Sequence, residues 1–194
     1  MEKVLVVPTS MIEPYLGKTA FVYENIDDII GTIQSNHIYI DREYAEYSKE
    51  YKQIIPYAIL TNGNEIFLTR RLKGQTEVRL HGLFSFGLGG HINPSEEISE
   101  NVILEGMKRE LNEEVGLKNI PDVKCAGIIN DHSTDVSNYH IGLVYCIHVN
   151  EKIAIKEVDK MLGKWATEEE IKERYEQLES WSQIAWDSQE RWKI

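Results

Sequence analysis

Apolar residues recur along this chain with two periods, and the change of period divides it into strand and helix segments. Residues 3–7 and 84–88 read as strands, the second entering Gly89-Gly90, and 124–130 and 140–149 read as two more. Thr61-Asn62-Gly63-Asn64 separates the β-type runs 54–60 and 65–69, and Asn-Gly in that setting predicts a hairpin. The helical period appears at 26–35 and most clearly at 99–115. There Ile103, Met107, Leu111 and Val115 form a stripe spaced by four, and Gly116 supplies a stop. A last helix is expected to start at Thr167, with Glu170 completing a capping box, and to run on with Ile171, Tyr175, Leu178 and Trp181 inward. Strands, one central amphipathic helix, more strands and a terminal helix describe a mixed α/β domain.

Composition narrows this only a little. The chain has 194 residues, 42% hydrophobic and 27% charged, which suits one globular domain with an extension. No apolar run approaches a membrane span, and the N-terminus lacks the apolar region of a signal peptide. Cys125 and Cys146 lie in separate apolar segments without metal-ligand spacing, as buried thiols do in a reducing compartment, so the expected location is cytoplasmic. The formal charge of −11 argues against general affinity for nucleic acid or anionic membranes. It leaves a phosphate substrate open, because a divalent metal inverts the local field.

The candidate chemistry sits in the central helix, at Arg109-Glu110-Leu111-Asn112-Glu113-Glu114-Val115-Gly116-Leu117. Glu110, Glu113 and Glu114 are three and four residues apart and so are neighbours on a helical surface. Like charges placed this way cost roughly 0.2–0.5 kcal/mol per pair. The set is therefore either a solvated acidic face or a collection of oxygen ligands for a hard cation.

The order Arg-Glu-apolar-x-Glu-Glu-x-Gly-apolar resembles the second half of the Nudix box, Gly-x5-Glu-x7-Arg-Glu-U-x-Glu-Glu-x-Gly-U, with U a bulky aliphatic residue, and matches it at every specified position. The first half departs from it. Six residues beyond Gly90 is Glu96, but the Arg expected eight further on, at 104, stands at 109, so an insertion of about five residues lies within 93–101. Asn93, Pro94 and Glu96 suit a capped turn there. Glu96, Glu97, Glu100 and Asn101 all remain candidates for the box's first glutamate.

The resemblance covers about residues 54–184 and implies an α/β/α sandwich around a mixed sheet, with residues 1–50 an N-terminal extension packed on the core and 51–194 the Nudix hydrolase domain. It implies a phosphohydrolase that uses Mg2+, or Mn2+, to cleave a diphosphate linkage in a small nucleotide-like molecule by attack of water at phosphorus. Glu110 and Glu114 would be the main metal ligands, Glu113 a third or one acting through water, and the Gly89 carbonyl a backbone ligand, while Arg109 orients a box carboxylate. Family members take the base from the box or from a later loop. Glu157 is the candidate for the loop, with Asp131, Asp135 and Asp159 as rivals. Arg70, Arg71, Lys73 and Arg79 can capture phosphate or form a solvated loop, and His81 and His91 can touch substrate or be structural.

Trp165, Trp181, Trp186 and Trp192 are more in keeping with packing than with base stacking. Tyr39, Tyr44, Tyr47 and Tyr51 are candidates for a homodimer interface or a lid. The rival from another class is a Nudix-like module that senses a nucleotide without turnover, which the intact carboxylate set disfavours. Isoprenoid diphosphate isomerisation needs an active-site cysteine and further ligands that find no place here.

Overall fold

The computed structural model describes residues 1–72, 82–95, 99–134, 136–150, 153–156, 158–159 and 161–193. One mixed sheet forms its frame. The strand β4 (Tyr51–Asn62) is buried from Lys52 to Leu60, as a strand covered on both faces must be. It turns through Gly63, at φ 57°, into β5 (Glu65–Arg71), as Asn-Gly predicts. Along its other side β9 (His140–His148) runs parallel, from Gln53↔His140 to Thr61↔His148. The strand β8 (Cys125–Ile129) pairs antiparallel with β9, and β2 (Phe21–Val22) closes that edge. The opposite edge is β10 (Met161–Ala166), paired with β5 along its length.

The sheet also branches. β1 (Lys3–Pro8) pairs with the first residues of β4, and β3 (Ile38–Asp41) pairs with β1. β4 and β5 pair directly only next to their turn, at Thr61↔Ile66 and Asn62↔Glu65. The segment 84–88 fills the gap beyond. It is two short strands rather than one: β6 (Phe84–Ser85) on β5, then β7 (Gly87–Leu88) on β4. The change of partner falls at Phe86, whose ring is buried beside Trp186 and Trp192.

Helices cover both faces. On one, α1 (Thr9–Leu16), α2 (Ile26–Asn36) and α4 (Val102–Val115) bury Ile12, Ile29, Ile33, Ile103, Met107 and Leu111 against Leu5, Ile54, Ala58 and Leu143. On the other, α5 (Glu168–Lys172), α6 (Ser180–Asp187) and α7 (Gln189–Trp192) bury Ile171, Ala185 and Trp192 against Tyr57, Ile59, Leu68 and Val144. The short α3 (Arg42–Ala45) sets Ala45 on Val4 and Val6. The result is the mixed α/β sandwich that the resemblance implies. No helix among the described residues is long and apolar enough to cross a membrane.

Two expectations need correction. The single helix from Thr167 onward is three pieces: its capping box forms, but Leu178 leaves helical geometry at ψ 147°. There Leu178 bridges to Phe84, and the Glu179 amide donates to the Phe84 carbonyl at 2.9 Å. The central helix starts at Val102, behind Asn101, rather than at 99, and β1 and β3 of the N-terminal residues belong to the same sheet as β4.

Candidate active site

The helix α4 owes its ends to side chains. Asn101 occupies the position that counting back from Arg109 gives to the box's first glutamate. It is the N-cap, and its side-chain oxygen accepts from the Leu104 amide at 3.1 Å. Gly116 closes the helix at φ 75°, and its amide donates to the Asn112 carbonyl. Lys156 adds a second closure, with its amide on the Glu114 carbonyl at 2.8 Å and Nζ on the Asn112 carbonyl at 3.1 Å. The stripe Ile103, Met107, Leu111 and Val115 is buried as its spacing predicts.

The three carboxylates sit at different depths. Glu114 lies on the underside with 8% of its surface exposed. The side chain of Glu110 is 16% exposed and that of Glu113 is 53%. Glu110 and Glu114, four residues apart, follow the inner edge of the helix, and Glu113 turns toward solvent.

The glycine pair fits tightly between this helix and β4. A Cβ on Gly89 would stand 1.9 Å from the Pro56 carbonyl oxygen, and one on Gly90 would stand 2.6 Å from Oε2 of Glu110. Gly106 admits Ile92 in the same way, since a Cβ there would be 2.7 Å from the Ile92 side chain. Backbone thus approaches the carboxylate where any side chain would block it.

Arg109 locks the arrangement. Its Nη2 donates to Glu110 Oε1 at 2.7 Å, to the His91 carbonyl at 2.8 Å and to Asn93 Oδ1 at 3.1 Å. Its Nη1 donates to Glu113 at 3.2 Å. One planar fork therefore ties the glycine loop to two box carboxylates, a task a lysine's point charge would do less specifically.

The remaining candidates are scattered. Strand alternation sends Arg70 and Arg71 to opposite faces: Arg70 shares a side with Ile66 and Leu68, and Arg71 shares one with Phe67. The Arg70 guanidinium lies over the Phe84 ring at 5.3 Å and donates to the Gly82 carbonyl, on the side of α5–α7 and away from α4. Arg71 leaves β5 on the α4 side. His91 gives its carbonyl to Arg109, while its ring meets that of His140 edge-on at 5.7 Å. Asp159 is exposed.

Asp131 is buried and committed to structure, accepting from the Ser133 amide at 2.8 Å and the Ser180 hydroxyl at 2.7 Å. Burial pushes its carboxyl up, but these bonds outweigh it and hold the group below its ordinary value. Glu157, Arg79 and His81, with Lys73, Asp135, Glu96 and Glu97, lie outside the described residues.

Trp165 packs on Phe67, Trp181 on Tyr57, and Trp186 and Trp192 on Phe86, so all four tryptophans serve the core. Tyr44 and Tyr47 are exposed near the N-terminal strands. Sequence reasoning credited neither Asn93's link to Arg109 nor Lys156's closure of α4, because both join segments that no periodicity relates. Among the described residues, no three His, Cys, Asp or Glu side chains gather closely enough to hold a metal by themselves. The glycine loop meets the carboxylates at one point, where Gly90 lies against that of Glu110.

Comparison with known proteins bears on the family and the fold. The family model of the NUDIX domain matches residues 52–186. Protein YmaB of Bacillus subtilis (strain 168) is 32% identical over 170 residues, covering 84% of this chain and 82% of that protein. The crystal structure of Tm1382, ascribed to the Nudix hydrolases, superposes with a TM-score of 0.83 at 28% identity and covers 97% of this chain and 98% of that one. The MutT protein from Methanosarcina mazei Go1 is more distant, at TM-score 0.54 and 25% identity over 71% of this chain and 92% of that one. The N-terminal strands thus fall within the likeness to Tm1382. The match of family model, relative and fold over the acidic helix and its glycine loop places the chain in the Nudix hydrolase family.

Proposed function

We propose that this hydrolase cleaves a diphosphate linkage in a small nucleotide-like molecule with the help of Mg2+ or Mn2+. The observation that carries the reading is the pair Glu110 and Glu114 on the inner edge of α4, with Gly90 against the Glu110 carboxylate and Arg109 fixing it. Such a donor set fits a hard cation. Magnesium prefers oxygen, keeps several waters, and sits between one or two carboxylates and substrate phosphates rather than in a full protein cage. Glu110, Glu114 and the Gly89 carbonyl would hold it. When bound, the cation supplies neutralisation of diphosphate charge and activation of water.

The chain's own residues supply the rest. Arg109 holds Glu110 in its ligand position, and Arg71, on the α4 side of β5, is the described arginine suited to capture substrate phosphate. Water adds to one phosphorus as the bridging P–O bond breaks. The bond pair leaves with the released phosphate, and the water's proton passes to a carboxylate. Glu113, the box glutamate turned toward solvent, and Glu157 in the later loop are the two candidates for that base.

The test is a screen of nucleoside di- and triphosphates, dinucleoside polyphosphates, ADP-ribose and sugar nucleotides with either metal. At least one is expected to turn over, with activity lost on adding EDTA and lowered about 100-fold or more in Glu114→Gln. Binding of these molecules without turnover in any metal would overturn the reading in favour of a sensing module.

A further inference from the structure

We propose that Asn93 is a positioning residue that clamps Arg109, and through it Glu110, to the first strand of the protein. The inference rests on the metal-dependent reading above. Asn93 uses both ends of its amide. Oδ1 accepts from Arg109 Nη2 at 3.1 Å, and Nδ2 donates to the Lys3 carbonyl at 2.8 Å and to Glu2 Oε1 at 3.2 Å. A guanidinium only donates and a carbonyl only accepts, so these partners force the amide's orientation.

The far side of the clamp is itself held. Arg42 Nη1 donates to Glu2 Oε2 at 3.1 Å, its amide to the Glu2 carbonyl at 2.9 Å, and its Nε to Glu46 at 3.0 Å. Next to Asn93, the Leu5 amide donates to the Ile92 carbonyl at 2.8 Å and fixes the loop against β1. A continuous path therefore runs from α3 through Glu2 and Lys3 to Asn93, Arg109 and the Glu110 carboxylate. Without Asn93, the Arg109 fork keeps the His91 carbonyl and Glu113, whose side chain is 53% exposed. The link from β1 to Glu110 would then pass only through backbone. Polar partners standing behind a metal ligand commonly govern metal affinity by 10–100-fold.

The experiment measures Mn2+ binding to the full-length protein by titration calorimetry, alongside thermal unfolding, in wild type, Asn93→Ala and Asn93→Asp. Asn93→Ala should weaken Mn2+ binding about tenfold or more and lower kcat, with KM for any substrate found in the screen unchanged. Asn93→Asp keeps an oxygen for Arg109 but has no donor for Lys3 or Glu2 and sets a carboxylate against that of Glu2. It should recover part of the affinity while losing at least as much thermal stability as Asn93→Ala. Should Asn93→Ala fail to fold, Asn93→Ser, too short to reach Arg109, is read in the same way.

Affinity in Asn93→Ala within about twofold of wild type overturns the inference. Equal losses in Asn93→Ala and Asn93→Asp overturn it too, because they would mean that strand docking alone is being read. Wild-type protein that binds no Mn2+ overturns the metal reading and this inference together, so the two failures are distinguishable.

Discussion

An added methyl at Gly90 meets a side-chain carboxylate, whereas one at Gly89 meets the backbone of β4, and the two residues should therefore fail differently. In Gly90→Ala the Glu110 carboxylate can swing aside. Activity should fall about tenfold or more while the melting temperature stays close to that of wild type. In Gly89→Ala the Pro56 carbonyl oxygen has no such freedom, and stability should fall as well by about 1–3 kcal/mol, measured by denaturant unfolding. Such resolution was beyond the sequence. Helical spacing put Glu110, Glu113 and Glu114 on one side of α4, but depth depends on what packs beneath, and only the fold separates a Glu114 8% exposed from a Glu113 side chain 53% exposed. Arg70 and Arg71 show the same limit. The sequence ended the strand at residue 69 and left both in a loop, whereas β5 runs on to Arg71 and so divides them between its two faces.

The central helix was readable because its stripe and its stop are local. Its start was the uncertain part, since the insertion left several residues competing for one box position. The structure gives Asn101 a backbone role, which yields a direct expectation: Asn101→Ala should cost about 0.5–2 kcal/mol in chemical denaturation with kcat unchanged. A loss of metal affinity there would make Asn101 part of the site. The terminal helix was misread for the opposite reason. Its capping box is local and formed, but the break at Leu178 is imposed by Phe84, nearly a hundred residues earlier in the chain. β10 escaped notice because it is an edge strand with Leu162, Gly163 and Lys164 all exposed, leaving little alternation to detect.

The N-terminal region looked separable in sequence because the family resemblance starts after it. In the folded chain β1 covers the beginning of β4, and Leu5, Val7, Ile12, Ile29 and Ile33 belong to the same core as α4. Deleting residues 1–50 should therefore give an aggregating or unfolded product, which circular dichroism and size-exclusion chromatography of the 51–194 fragment would show; a monodisperse, folded fragment would mean that the extension is dispensable. The longest pairing in the sheet bears on how this molecule comes into being. β4 finds its parallel neighbour only in β9, with Gln53 opposite His140, so the longest strand of the sheet waits for most of the chain to be synthesised before that partner exists. Pairings of that span close late and slowly. During translation the hydrophobic run from Ile54 to Leu60 is the segment a chaperone would have most reason to shield.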